Sequence, residues 1–274
     1  MLCFVLLALP ILGCAEAPIL TPTPAPPEEE VVTEEEAAPP APTPTLATIP
    51  EEILASHFGF GGLGQDMDGI SRLGIRWGRS PSIPFIWGLV EPERGEYIWR
   101  RTDGYVHNHQ DYNFAVIAVI WPLAEWDQAN WGPAGTSPIV FEDEMGRSRR
   151  KPYDMDAYRR FVSAVVERYD GDGIDDMPGL KYPIKYWEAS NEPSLQTGFW
   201  TFFNGSSEDY LEVLKATYQA VKEADPEAKV LAGGMGTMKP QQVSFWRPVF
   251  KKGSQYFDAA YNLILEFVEG LVQS

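Results

Sequence analysis

The chain has 274 residues and a formal net charge of −17; its first 50 residues hold seven glutamates and no lysine or arginine, which leaves −10 on residues 51–274. An acidic domain of this kind repels phosphate backbones and anionic lipid headgroups, so nucleic acid is excluded as a partner while small neutral ligands are not. Both cysteines, Cys3 and Cys14, lie in the N-terminal apolar stretch, so the remainder has no disulfide and no thiolate metal site.

Residues 1–13 form an apolar run too short to cross a bilayer as a helix and of the right length for the core of a signal peptide. The run ends Ile11-Leu12-Gly13-Cys14, which resembles the bacterial lipobox. That resemblance implies a signal segment over 1–14, acylation of Cys14, and an exported protein at the cell surface or in the periplasm, touching the membrane through its lipid anchor. Residues 15–50 carry ten prolines and the acidic runs Glu28-Glu29-Glu30 and Glu34-Glu35-Glu36. Prolines remove amide donors and stiffen the chain, and so little apolar surface cannot offset the entropy of ordering. The segment is therefore expected to be a disordered tether, with the folded domain over 51–274.

From there short apolar runs alternate with amphipathic stretches. His57 to Gly62 reads as a first strand, Asp66 to Leu73 as a helix, and Gly74 to Arg79 as a second strand. Thr102 to Tyr112 has helical spacing, and Phe114 to Ile120 is a continuous apolar run suited to a strand buried on both faces. In Asp156 to Tyr169 the residues Tyr158, Phe161, Val162, Val165 and Val166 share one helical face. Lys185 to Ala189 is a fourth strand, Ser207 to Ala224 a helix capped by Ser207, Lys229 to Ala232 a fifth strand, and Tyr256 to Asn262 the start of a sixth. Strand then helix, repeated about five times, specifies parallel βα units. Either an open doubly wound sheet or a closed barrel fits; the lack of a glycine-rich phosphate loop after the first strand weighs against a nucleotide-binding open sheet.

One segment carries chemistry. In Tyr186-Trp187-Glu188-Ala189-Ser190-Asn191-Glu192-Pro193 an apolar strand delivers Asn191 and Glu192 at its C-terminal end, where active sites of (β/α) barrels are built. On these residues the chain resembles the clan of retaining glycoside hydrolases whose acid/base follows an asparagine at the end of strand four, including β-xylosidases, β-galactosidases and cellulase-like enzymes. Arg79 at the end of strand two, Ile120-Trp121-Pro122 at the end of strand three, and the stretch Val90 to Trp99 agree with it. The resemblance covers residues 53–262. It implies an α/β fold, a (β/α)8 TIM barrel represented by its first five to six units. It further implies Glu192 as acid/base, Asn191 on the sugar 2-hydroxyl, and an oligo- or polysaccharide as partner, with no cofactor required. Glycoside cleavage needs a carboxylic acid still protonated near neutral pH, and burial among aromatics such as Trp187 and Trp200 would supply that. Arg79, Trp121, Trp87 and Trp126 are the expected substrate contacts, with Trp131 in the adjoining loop, since indole faces suit the C–H faces of sugars.

Two further groups have weaker chemistry. Asp170-Gly171-Asp172-Gly173-Ile174-Asp175-Asp176 either wraps a hard cation such as calcium through Asp170, Asp172, Asp175 and Asp176, or is an acidic turn closing a helix. His107 and His109 are two apart on a helix and so do not share a face; His57, near strand one, is either a pocket residue or a packed one. The clan places its nucleophile at the end of strand seven, and Leu263 to Ser274 lacks that pattern, so neither Glu266 nor Glu269 takes the role. The expected protein is thus a glycosidase acting on β-linked sugars by double displacement with its nucleophile outside this chain, or else a sugar-binding lipoprotein or inactive fragment.

Overall fold

The computed structural model describes residues 48–61, 66–81, 83–132, 146–196, 201–236 and 239–260. The chain divides into two units, Met1–Pro42 and Thr43–Ser274, and all described residues belong to the second. Cys14, most of the tether, Trp200, and residues 261–274 with Glu266 and Glu269 lie outside them. Ile49 packs against the cluster of Ile53, Ala115 and Tyr182.

Six strands form one sheet: β1 Gly59–Gly61, β2 Trp77–Arg79, β3 Ala115–Ile120, β4 Tyr186–Ala189, β5 Lys229–Ala232 and β6 Ala259–Ala260. Every neighbouring pair is parallel, and their spatial order is their sequence order. A doubly wound sheet reverses direction at a switch point; here the order never reverses. With right-handed crossovers each unit adds to the same side, and the sheet curls toward a barrel with its helices outside. The described strands are six of the eight of a (β/α)8 barrel, which settles the choice left open by the pattern of elements.

The helices in chain order are α1 Glu51–Leu54, α2 Met67–Arg72, α3 Trp87–Val90, α4 Arg100–Asp111, α5 Glu125–Gln128, α6 Met155–Glu167, α7 Ser207–Ala224 and α8 Pro240–Gly253. The cap of α7 is Ser206, not Ser207: its hydroxyl accepts from the Asp209 amide, and the Asp209 carboxylate accepts from the Ser206 amide. This reciprocal pair satisfies two amide donors that helix geometry leaves free. Helix α8 has no counterpart among the expected elements. Pro240 starts it at a position where a missing N–H costs nothing, and Pro248 sits inside it, where a proline ordinarily signals an end.

Period-two alternation assigns each strand residue to a side. Val116, Ala118 and Ile120 of β3, Trp187 and Ala189 of β4, and Val230 and Ala232 of β5 face outward into one core, with Val106, Phe161, Val213 and Trp246 of the surrounding helices. Fully burying one such ring stabilises by about 1.5–3 kcal/mol. The intervening residues Trp77, Arg79, Ile117, Tyr186 and Leu231 face inward onto a cavity of about 750 Å³. Gly78 is outward-facing and has to be glycine, because a Cβ there would stand 2.7 Å from the His109 ring of α4. His109 is thus a packing residue, buried with Nδ1 against the Tyr105 carbonyl, while His107 lies near Gly179, so the two histidines point apart as their spacing requires.

Candidate active site

Four charged or polar side chains meet at the C-terminal ends of β2 and β4. The Arg79 guanidinium donates from Nε to Glu188 Oε2 at 2.7 Å and from Nη2 to Glu188 Oε1 at 2.7 Å and Asn191 Oδ1 at 2.8 Å. Glu188 is 0% exposed, and its Oε1 also accepts from the Gly234 amide at 2.8 Å. A fork of two charge-assisted bonds plus a backbone donor is what a carboxylate needs to remain in a barrel interior.

The chain after β4 then turns sharply. Ser190 and Glu192 have φ of +69° and +43°, the left-handed region that non-glycine residues avoid, and Asn191 stands between them. Such strain persists only where neighbours over-determine it. Ser190 donates its amide to the Ile120 carbonyl. The Tyr210 hydroxyl on α7 donates to the Ala189 carbonyl at 2.9 Å and accepts from the Gly233 amide at 2.7 Å. Gly236, with φ +63°, lies against the Glu192 carboxyl, and a Cβ there would be 3.2 Å from Oε1. The loop after β5 therefore holds Glu192 from one side and, through Gly234, Glu188 from the other.

Glu192 is half-buried, and its carboxyl titrates above the ordinary value: burial raises it, the Arg79 cation opposes, and the Glu188 anion adds to the rise. Of the two indoles expected to bury it, Trp200 lies outside the described residues. Trp187 points to the outer core, since it alternates with the inward Tyr186 and Glu188.

The expected aromatic contacts also separate. Trp121 packs at the barrel mouth against Ile86, Leu123 and Phe202, and is buried. Trp87 is 0% exposed: its ring stacks on Phe161, and Nε1 donates to the buried Glu91 carboxylate at 2.6 Å, leaving no face for a ligand. Trp126 sets its ring edge-to-face against Trp87, carries Arg94 over one face, and donates Nε1 to the Glu91 carbonyl. Trp131 likewise donates to the Lys151 carbonyl. These indoles brace the loop walls. Glu91, which sequence reasoning did not single out, anchors Trp87 and Trp126 and accepts the Gly95 amide at 2.6 Å.

The acidic loop lies at the other end of β4. Asp176 accepts the Gly171 and Gly173 amides, Asp172 accepts that of Ile174, and Asp170 that of Asp172. Asp175 is exposed. The carboxylates that converge are Glu167, Asp170 and Asp172, with oxygens within 4.8 Å of one another, so Glu167 takes the place expected of Asp175 and Asp176. These three are the described residues that could hold a divalent cation. The Asp170 carboxyl is pushed up to about 7, first by burial and then by its acidic neighbours.

No protein-family model and no curated protein matches the chain. Solved structures do. A glucosidase from Croceicoccus marinus superposes with TM-score 0.50 at 16% identity over 74% of this chain and 42% of that one. A GH10 xylanase from Bispora sp. MEY-1, solved with xylobiose, gives TM-score 0.50 at 14% identity over 78% of this chain and 64% of that one. The chain thus spans less than two thirds of either neighbour, and at these identities the likeness carries the barrel fold alone.

Proposed function

We propose that this protein is a glycoside hydrolase in which Glu192 protonates the leaving oxygen of a β-linked oligo- or polysaccharide and Asn191 binds the sugar beside the cleaved bond. The observation that carries the reading is the half-buried Glu192 at the end of β4, raised in pKa by burial and by Glu188 against the pull of Arg79. A general acid for glycosides needs that combination of access and retained proton. Glu188 does not complete the pair as nucleophile, because it is wholly enclosed by Arg79 and Gly234. Double displacement needs a second carboxylate, which Glu188 does not supply.

Release of reducing ends from a panel of β-linked oligosaccharides tests this. Glu192→Gln lowers turnover at least about 100-fold, the range of lost acid catalysis, with an unchanged thermal melt. Equal turnover in the two proteins overturns the assignment, and sugar-dependent tryptophan fluorescence without cleavage in the wild type replaces it with a binding role.

The same reading places the protein outside the cytoplasm on a lipid at Cys14, supported by the apolar run before it and the proline-rich tether after it. Among the described residues no helix is long and apolar enough to cross a membrane. Detergent phase partitioning checks the anchor: Cys14→Ala moves the protein to the aqueous phase, and an unchanged partition rules the anchor out.

A further inference from the structure

Glu188 interrupts an otherwise apolar and aromatic strand, four residues before Glu192. Removing a carboxylate from water costs several kcal/mol unless a cation and donors meet it, and here both oxygens are met by Arg79 and one also by Gly234. With 0% exposure it touches no ligand, so it acts through the groups around it, Arg79 first among them. A guanidinium has donors only. Held by Glu188, its Nη2 can meet Asn191 only at the amide oxygen, as observed at 2.8 Å, and this turns the Asn191 NH2 into the group left to donate to a ligand. The same ion pair sets the charge beside Glu192. Among the described residues, the charged groups that act on Glu192 are Arg79 from β2 and Glu188 from β4; the loop after β5 brings it Gly236, which has no charge.

We propose that Glu188 is a positioning residue: by clamping and neutralising Arg79 it fixes the Asn191 carboxamide as a donor and shields Glu192 from the guanidinium charge. The inference deepens the acid role proposed for Glu192 and rests on it. Without Glu188, neither its anion nor its offset of the Arg79 charge acts on Glu192; the ionised form is favoured, and the proton needed for leaving-group protonation is lost at lower pH.

Carbon-13 NMR titration of the Glu192 carboxyl in the full chain tests this without requiring turnover. In Glu188→Gln the midpoint falls by about one pH unit or more relative to wild type, the size expected when a neighbouring anion is removed and a neighbouring cation is no longer offset by it. In the double variant Arg79→Met/Glu188→Gln it returns to within about half a unit, because both charges leave together. Should Glu188→Gln not fold, the double variant decides alone, since it strands no buried charge. A midpoint in folded Glu188→Gln that stays or rises, or one in the double variant that rises by more than about one unit, overturns the proposal. A wild-type Glu192 that titrates as an ordinary carboxyl instead counts against its acid role, so the two failures are told apart.

Discussion

Two groups of carboxylates stand at opposite ends of β4, and they are built in different ways. At the N-terminal end, Asp170, Asp172 and Asp176 bind amides two to five residues away in their own loop. At the C-terminal end, Glu188 is met by a cation 109 residues distant in sequence and by an amide 46 residues distant, beside a backbone bent into the left-handed region at two residues. A loop that caps its own amides closes itself and specifies nothing beyond the turn. A carboxylate that needs another strand's arginine is fixed only when the barrel is formed, and it then fixes its neighbours. The contrast fits the division of a (β/α) barrel into a face that serves stability and a face that serves chemistry.

The largest effect that separates the two ends comes from Arg79→Met. It leaves Glu188 buried without its cation, and stability falls by about 3–5 kcal/mol in urea unfolding. A loss under about 1 kcal/mol would mean that the pair is solvated and that the contrast is overdrawn.

Asp170→Asn probes the other end, with a smaller effect of opposite sign. A carboxyl of about 7 in the fold against 3.8 unfolded binds more protons when folded. It therefore subtracts stability as pH rises from about 4 through about 7, and the deficit is complete above that. Asparagine keeps the acceptor for the Asp172 amide but cannot ionise. The variant is expected to gain about 1–2 kcal/mol at pH 8 and little at pH 4, with a flatter profile between, since local relaxation around the ionised group trims the full linkage value. Identical pH profiles for the two proteins would show that Asp170 is not strained by its neighbours. A calcium-dependent rise in wild-type melting temperature, absent in the variant, would break the contrast by making this end a cation site.

Much of this arrangement is readable from residue order because it is local. The apolar face of α6 and the span of α7 follow from a period of 3.6, and β3 and β5 from short apolar runs. Asn191 and Glu192 are placed by the strand that precedes them, and Arg79 by the end of β2. What could not be read is what depends on distant neighbours. Trp87 and Trp126 look alike in sequence whether they line a cleft or fill a wall, and only the packing against Phe161 and the bonds to Glu91 decide it. Helix α8 is concealed by Pro248, which local rules read as a stop. Glu188 did leave a signal that went unused. A charge on the inward-facing side of an apolar strand needs a partner, and Arg79 at the end of β2 shares that side.

The central claim, that Glu192 supplies the proton for the leaving group, is tested most directly by its dependence on that group. The kcat/KM values of wild type and Glu192→Gln, which report the bond-cleaving step alone, are compared on aryl β-glycosides whose phenols range from poor to good leaving groups. Protonation matters most for poor ones, so the deficit of Glu192→Gln is about 100-fold or more for a sugar or unsubstituted phenol and shrinks about tenfold or more for a dinitrophenol. A deficit of the same size across the series would contradict the account and leave Glu192 a role in binding or in shape alone.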